Sequence, residues 1–530
     1  MFNGIKQLLP KDHAVLYIIL LSVVARGLLV VAYPYLIVTS DGGDGNHFYQ
    51  LMLRMAIGDY QGNLQFATGY PFLGSFLWQA IVLFIPEHSP IAKMVLLVCQ
   101  HLVGVITTVL VYKVALIGGG IRLAAIVGAG FFAIAPIAIA WAHHTRPTFL
   151  AAFFVMLALY AYFKWENNNK VNLHFLILIG IAVAAGALVR NFPIVLLPIF
   201  MLLLIISRTN KRIKIRSLLV LFLSFFITYF GYIAVIQYGS TGSFKMRGMG
   251  FGAFTINVIS YRGLEPNLLK FDRRAGDATN RVVAYSNYIR KYLPPIPISQ
   301  YNANLAENTN PVAPYSLRQK LASSITNHHM YAAPDKNVDQ WEYAYYLGVS
   351  GYSDLMGDFA LEQFSSSPSS VLKIIAHRFL QNFFLHQSTT RLDFRFPSAD
   401  KLTPLDQESW GFVRLIWPPN LQKDRWSDFS FYPGVHFFDQ LYEATQIRWW
   451  VYVVILTLIM PSILRMDRKG RFCFILLTTI LVYYSCHAIV SHTDARHNVG
   501  FDPLVFILFG YALVTTLTFV KQITEKWFFE

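Results

Sequence analysis

Ten continuous apolar runs constrain this chain more than any other feature. They are Ala14–Val38, Ile91–Ile117, Leu123–Trp141, Thr148–Phe163, Val171–Val189, Phe192–Ser207, Ser217–Tyr238, Trp449–Leu464, Phe472–Val490 and Pro503–Val520. Several approach or exceed the roughly 20 residues that carry a helix across a bilayer. Inside hydrocarbon every backbone polar group must be paired within the protein, so only helices and closed barrels can cross. A barrel strand alternates apolar and polar residues, whereas these runs are continuous, so they predict helices. Charged residues make up 14% of the chain, against about 25% in soluble domains. The fold class expected is therefore an all-α polytopic membrane protein of about ten to twelve spans, with a mixed extracytoplasmic domain.

The net charge of +15 does not point to nucleic acid, because the basic residues gather in short loops between apolar runs. Arg208, Lys211, Arg212, Lys214 and Arg216 crowd one such loop, and Arg465, Arg468, Lys469 and Arg471 another. Short loops rich in Lys and Arg stay in the cytoplasm. With the N-terminus inside and all ten runs crossing, both basic loops fall inside. The loop holding Asp41 and Asp44, the Ala142–Pro147 turn, Arg190 and the His492–Asn498 turn then fall outside. A further apolar stretch, Tyr70–Ile85, would break this parity by crossing, so it is expected to re-enter or lie on the surface. The first run is of span length and lacks a cleavage pattern, which reads as a retained anchor.

These boundaries divide the chain into an N-terminal membrane module at 1–238, with an acidic loop at 39–69, a soluble domain at 239–447 and a C-terminal membrane module at 448–530. The middle domain is rich in Tyr, Asn, Ser and Pro, with one helix expected over Pro368–His386. Three cysteines, Cys99, Cys473 and Cys486, lie in or beside apolar runs and form neither a disulfide framework nor a zinc spacing.

The chemistry-bearing residues collect on the outer side. The stretch Ser40–Tyr60 opens with Asp41 and Asp44 among three glycines, which allow sharp turns and close approach of a substrate. Phe48, Leu51, Met52, Met55 and Ala56 then follow at helical spacing, a stripe suited to lying on a membrane surface. His143, His144 and Arg146 occupy the AHHTRP turn, Arg190 a break between two runs, and Asp494, Arg496 and His497 the HTDARHN turn. Arg391 lies in the soluble domain. Arg26 is in mid-span, where a charge costs roughly 2.5–3.5 kcal/mol by insertion scales, so it should face the interior and pair with a carboxylate or a lipid phosphate. Each of these residues also has an ordinary reading: a helix cap for Asp44, headgroup contact for the arginines, a helix-end pair for the histidines. Walker, dinucleotide-binding, zincin and nucleophile-elbow motifs are missing from the chain. Carboxylates with arginines at a membrane surface suit a reaction in which a hydroxyl loses its proton while a lipid phosphate departs.

In order along the chain, these features resemble the polyprenyl-phosphate-dependent glycosyltransferases of the GT-C fold, above all the protein O-mannosyltransferase and aminoarabinose transferase group. The residues that carry the resemblance are Arg26, Asp44, Tyr49 and Gly58, then Gly69-Tyr70-Pro71, Ala135-Pro136, Thr145-Arg146-Pro147, Arg190, and finally Arg496-His497 with Pro503. They cover Ala14–Ser207 well, the last spans in part and the soluble domain hardly at all. Two positions depart from the group. Gly45 follows Asp44 where an acidic pair is usual, and the second outer loop offers histidines and Arg146 in place of an acid. Two carboxylates on one loop make a poor divalent site, so no metal or other cofactor is assigned, although a divalent ion is conceivable.

The resemblance implies a multi-pass enzyme of a bacterial inner (plasma) membrane with its active site facing the periplasm or exterior. It implies transfer of a sugar from a polyprenyl-phosphate donor to a protein, lipid or glycan acceptor, with inversion. Asp44 is then the base and Asp41 its helper. Arg146, Arg190, Arg496 and Arg391 meet the donor phosphate, and Arg26, Tyr49, His143, His144 and His497 line the pocket. A transporter of a lipid-linked or acidic solute is the alternative, but the chain lacks a half-to-half repeat and its polar residues favour one face. A scaffold with a receptor-like outer domain is a third reading.

Overall fold

The computed structural model describes residues 13–32, 44–58, 69–87, 89–135, 138–139, 141–145, 147–168, 172–190, 192–207, 210–241, 276–281, short pieces between 358 and 376, and 449–465, 467–490 and 501–529. Among them there is no strand. The helices are α1 (His13–Ala32), α2 (Asp44–Ala56), α3 (Gly69–Val82), α4 (Pro90–Gly119), α5 (Arg122–Ile134), α6 (Thr148–Asn167), α7 (Leu173–Val189), α8 (Leu196–Ile206), α9 (Lys211–Thr241), α10 (Trp449–Arg465), α11 (Arg468–Val490) and α12 (Asp502–Phe529). Five stretches within them, His13–Val30, Ile91–Gly119, Thr148–Asn167, Lys211–Ile236 and Asp502–Glu525, are long and apolar enough to cross a membrane. The chain is an all-α, multi-pass membrane protein. The Asp44 end of α2 is placed but its side chain is not described. The expected helix at Pro368–His386, and the 239–447 domain as a whole, lie almost entirely outside the described residues.

α4 is the central post. Ser89 Oγ accepts from the Ile91 N–H at 3.2 Å and Pro90 opens the helix, a position where its missing N–H costs nothing. At the other end Gly120 takes a left-handed φ of 78° and returns its N–H to Leu116 O, a glycine C-cap. Small residues bring α12 against α5: a Cβ on Gly510 would stand 2.5 Å from Ala124 O, and one on Gly128 2.9 Å from Phe506 O. Close helix crossings in a bilayer rely on such residues, because apolar area alone gives little preference for protein over lipid.

Contacts along α4 fix which ends of the other elements lie together. At its C-terminal end Arg468 donates to Ile117 O at 2.6 Å and to Gly118 O at 3.3 Å, and Asn167 Nδ2 donates to Ile117 O at 3.0 Å. Arg471 faces Glu166 at 3.6 Å, and the Tyr511 hydroxyl donates to Ala115 O at 2.9 Å. The basic segment 465–471 therefore gathers at this end and latches the last helices to the first ones. The 141–145 turn and the end of α7 lie at the other end, as the parity argument requires.

Two sequence expectations meet a difference here. The apolar run through Trp141 does not stay helical: α5 stops at Ile134, and Ala135 is extended (ψ 114°), as the residue before Pro136 must tend to be. The stripe of α2 does bury Phe48, Leu51, Met52 and Met55, but against α3, α4 and α9, with Tyr232 and Ile236 among the neighbours. α3 does not cross. Tyr70 near its start meets Gln100, and Trp78 and Ile81 near its end pack with Ala92, Leu96 and Leu97. It thus runs beside the N-terminal half of α4 and stays at that end of the bundle.

Candidate functional site

At the end of the bundle opposite the basic latch, one buried cluster joins Phe48, Tyr70, Ala142, Phe149, Ala151 and Val189. Four of its members stand near residues singled out in the sequence, and Tyr70 is itself one of those residues. Phe48 is one helical turn after Asp44, Ala142 and Phe149 bracket the His143–Arg146 turn, and Val189 precedes Arg190. Apolar packing therefore anchors the acidic helix start, the histidine turn and the Arg190 break to one place.

The rings set the angles. Phe48 and Phe149 both meet the Tyr70 ring edge-to-face, at centroid separations of 6.0 and 6.2 Å, a geometry favoured by the ring quadrupole. The Tyr70 hydroxyl donates to Gln100 Oε1 at 2.7 Å, and Gln100 Nε2 donates to Ala142 O at 2.9 Å. Burial, and secondarily Tyr49, holds the Tyr70 phenol well above its usual pKa, so it stays a neutral donor. This relay ties α3 through α4 to the histidine turn. Tyr70→Phe strands the Gln100 carbonyl oxygen in a dry site. A stability loss of about 1–3 kcal/mol is expected, read as a lower midpoint in thermal unfolding of the protein in lipid nanodiscs.

Gly69 is the hinge pin of the arrangement. A Cβ there would stand 2.6 Å from the Leu188 carbonyl carbon and 2.7 Å from Val189 N. α3 thus touches the backbone of α7 immediately before Arg190. Arg190 ends α7 in extended backbone, with its N–H returned to Gly186 O at 2.8 Å. The Phe192–Val195 turn that follows packs on α11, whose Tyr483 ring stacks on Phe501 at 3.9 Å. The C-terminal module meets the N-terminal one here.

Tyr49 is buried edge-on to Trp78 at 6.0 Å, with Lys93 Nζ 5.9 Å from its ring centroid. His143 and His144 are both buried. His143 Nδ1 hydrogen-bonds His101 Nε2 at 2.7 Å, and the His144 ring lies 5.1 Å from the Trp141 ring. Arg26 faces the interior as expected, with 2% of its surface exposed, but its protein partners are neutral. Nη1 donates to Ser22 Oγ at 2.6 Å and to Ala133 O at 3.2 Å, and Ser22 Oγ lies 3.1 Å from Thr108 Oγ1. Asp41, Arg146, Arg391, Arg496 and His497 lie outside the described residues.

Sequence reading missed Gln100, His101 and Asp502. The first two had a signal: an adjacent polar pair within an apolar run must turn inward, because polar groups facing lipid are costly. Asp502 is buried at the start of α12, where an acid in a first helical turn reads as a helix-end residue and nothing more.

Residues 71–232 match the family model described as dolichyl-phosphate-mannose-protein mannosyltransferase. That match bears out the resemblance to the GT-C enzymes, and its span runs from α3 through Arg190 into α9. Similar solved structures include the Archaeoglobus fulgidus oligosaccharyltransferase in its apo form, with TM-score 0.43, 12% identity, and cover of 97% of this chain and 51% of that one. Another is the archaeal oligosaccharyltransferase AglB from the same organism in complex with an inhibitory peptide and a dolichol-phosphate, with TM-score 0.42, 12% identity, and cover of 96% and 52%. This chain spans about half the length of those two. No curated protein matches it.

Proposed function

We propose that this chain is a glycosyltransferase of the GT-C type, moving a sugar from a polyprenyl-phosphate donor to an acceptor hydroxyl on the extracytoplasmic face. The observation that carries the reading is the family match over 71–232, whose span includes the 141–145 turn and the Arg190 break that pack against the acidic helix. In the reaction the Asp44 carboxylate takes the acceptor's proton as its oxygen attacks the anomeric carbon. The bond from that carbon to the phosphate oxygen breaks, and the configuration inverts. The departing polyprenyl phosphate keeps the bonding pair, and Arg146, Arg190 and Arg496 meet its charge, with Arg391 from the soluble domain as a further cation. Arginine suits this task, since its planar fork holds two phosphate oxygens at once. Asp41 orients Asp44 or the acceptor. Tyr49, His143, His144 and His497 shape the pocket beside these groups.

The setting proposed is a bacterial plasma membrane, with the basic latch in the cytoplasm and the packed polar end outside, as positive loops require. Incubating the purified protein in lipid with a panel of polyprenyl-phosphate sugars tests the activity. Freed polyprenyl phosphate with one of them is the expected result, and silence across hexose and pentose donors with mixed acceptors overturns it.

A further inference from the structure

A groove with a volume of about 330 Å³ opens between α1 and α5. Ile18, Leu21, Ile126 and Gly130 line its length, and His13 and Arg122, the first residues of the two helices, stand at its mouth. Ile18, 3% exposed, forms the floor, while Leu21 and Tyr17, at 42% and 72%, form the outer wall. From Arg122 to Gly130 the helix rises about 12 Å, most of one leaflet of a hydrocarbon core about 30 Å thick. Gly130 keeps the groove open. A Cβ on it would meet no atom within 4 Å, whereas one on Gly128 would stand 2.9 Å from Phe506 O. The packing of α12 accounts for Gly128, and Gly130 faces open space instead.

The mouth of the groove is positive. Arg122 brings a permanent charge, and the His13 ring offers an N–H in either neutral tautomer. The positive end of the α5 dipole has the same sign, and its N-cap, Ile121, makes no side-chain cap bond. Arg468 of the basic latch lies at this end too: a Cβ on Gly120, just before Arg122 in the chain, would stand 3.8 Å from its Cζ. Apolar walls of about one leaflet's depth with cations at the mouth match a phospholipid whose headgroup is anionic. Basic pockets between membrane helices take such lipids. A zwitterionic headgroup carries its own cation and gains less from the same mouth.

We propose that the groove between α1 and α5 binds one anionic phospholipid of the phosphatidylglycerol type. An acyl chain lies along Ile18, Ile126 and Gly130, and the headgroup phosphate meets Arg122 and His13. The lipid stands in the leaflet at the basic end of the bundle, opposite the end where the 141–145 turn and the Arg190 break come together. Its binding depends neither on which side of the membrane that end faces nor on whether the chain transfers sugar.

The test is native mass spectrometry of the full chain in detergent, titrated with phosphatidylglycerol and, separately, with phosphatidylcholine of the same acyl chains. The unaltered chain is expected to hold one phosphatidylglycerol about fivefold or more tighter than phosphatidylcholine, the gain from one basic residue at a membrane surface. Arg122→Gln should erase that preference, and Arg122→Lys should keep most of it. Gly130→Leu fills the groove with a good helix former and should weaken phosphatidylglycerol by about fivefold or more. Gly231→Leu on α9, where a Cβ also meets nothing within 4 Å, should leave it unchanged. Equal binding of the two lipids by the unaltered chain overturns the proposal. So does unchanged phosphatidylglycerol binding in folded Arg122→Gln and Gly130→Leu. A dimer that Gly130→Leu turns into a monomer, with lipid binding unchanged, gives the groove to a second copy of the chain and overturns it as well. If one of these two variants fails to fold, the other decides alone. No sugar turnover enters these measurements, so they fail or succeed independently of the transferase assay.

Discussion

Asp44→Asn is expected to lower sugar transfer by about 10²–10⁴-fold, the usual contribution of a positioned general base. The substitution is nearly isosteric, so the acceptor can still bind, but an amide cannot take its proton. α2 should be undisturbed, because its hold on the bundle comes from Phe48, Leu51, Met52 and Met55, all buried, and from Tyr49 against Trp78. The unfolding midpoint and the affinity for the prenyl-phosphate donor should therefore stay near wild type while turnover collapses. Single-turnover release of polyprenyl phosphate measures this directly. Transfer at the wild-type rate in the Asn variant removes Asp44 from the chemistry and leaves it the ordinary role of ending a helix. A loss of donor binding equal to the loss of turnover would instead put Asp44 in the binding step.

How much of this arrangement the sequence discloses depends on the range of the interaction. Helix limits set by local chemistry are legible: Ser89-Pro90 opens α4 and Gly120 closes it. The parity of basic loops is legible too, and with it the expectation that α3 stays at one end of the bundle, since with the N-terminus inside a crossing there would have put both basic loops outside. Pro136 announces its break, yet the apolar letters around it run on and invite a longer helix. What one sequence cannot disclose is which distant groups meet. Arg468 reaches the carbonyls of Ile117 and Gly118, some 350 positions away in the chain, and nothing local to Arg468 separates that role from loop orientation. The Tyr70–Gln100–Ala142 relay is hidden for the same reason. Arg26 is the middle case. Its depth in an apolar run predicts an inward-facing charge, but only the fold reveals that its acceptors are a hydroxyl and a carbonyl on one edge.

A matched pair of glycine substitutions on α3 should separate position from mere crowding. Alanine at Gly69 puts its Cβ 2.6 Å from the Leu188 carbonyl carbon and 2.7 Å from its oxygen and from Val189 N. These are backbone atoms of a packed helix and have nowhere to go, so α3 must move away instead. The movement is carried to Tyr70, hence to Gln100, Phe48 and Phe149, and so to the start of α2 and the turn at 141–145. Alanine at Gly74 also clashes, but with Met52 Sδ at 2.7 Å, part of an unbranched thioether chain that can change rotamer. Gly74 lies inside α3, where replacing glycine by itself would add about 0.5–1 kcal/mol of stability, whereas Gly69 is the first residue of the helix and gains less. A propensity difference of that size affects stability and not alignment, so the difference in transfer between the two variants reports the shift of α3. A displacement near 1 Å costs about 10²-fold in a reaction that depends on alignment. Gly69→Ala should therefore drop transfer by about that factor with the bundle still folded, and Gly74→Ala should stay within about threefold of wild type, because its clash ends in a side chain. Equal losses in the two variants would mean that α3 serves only as a cover, and that the acid and the cations keep their alignment without it.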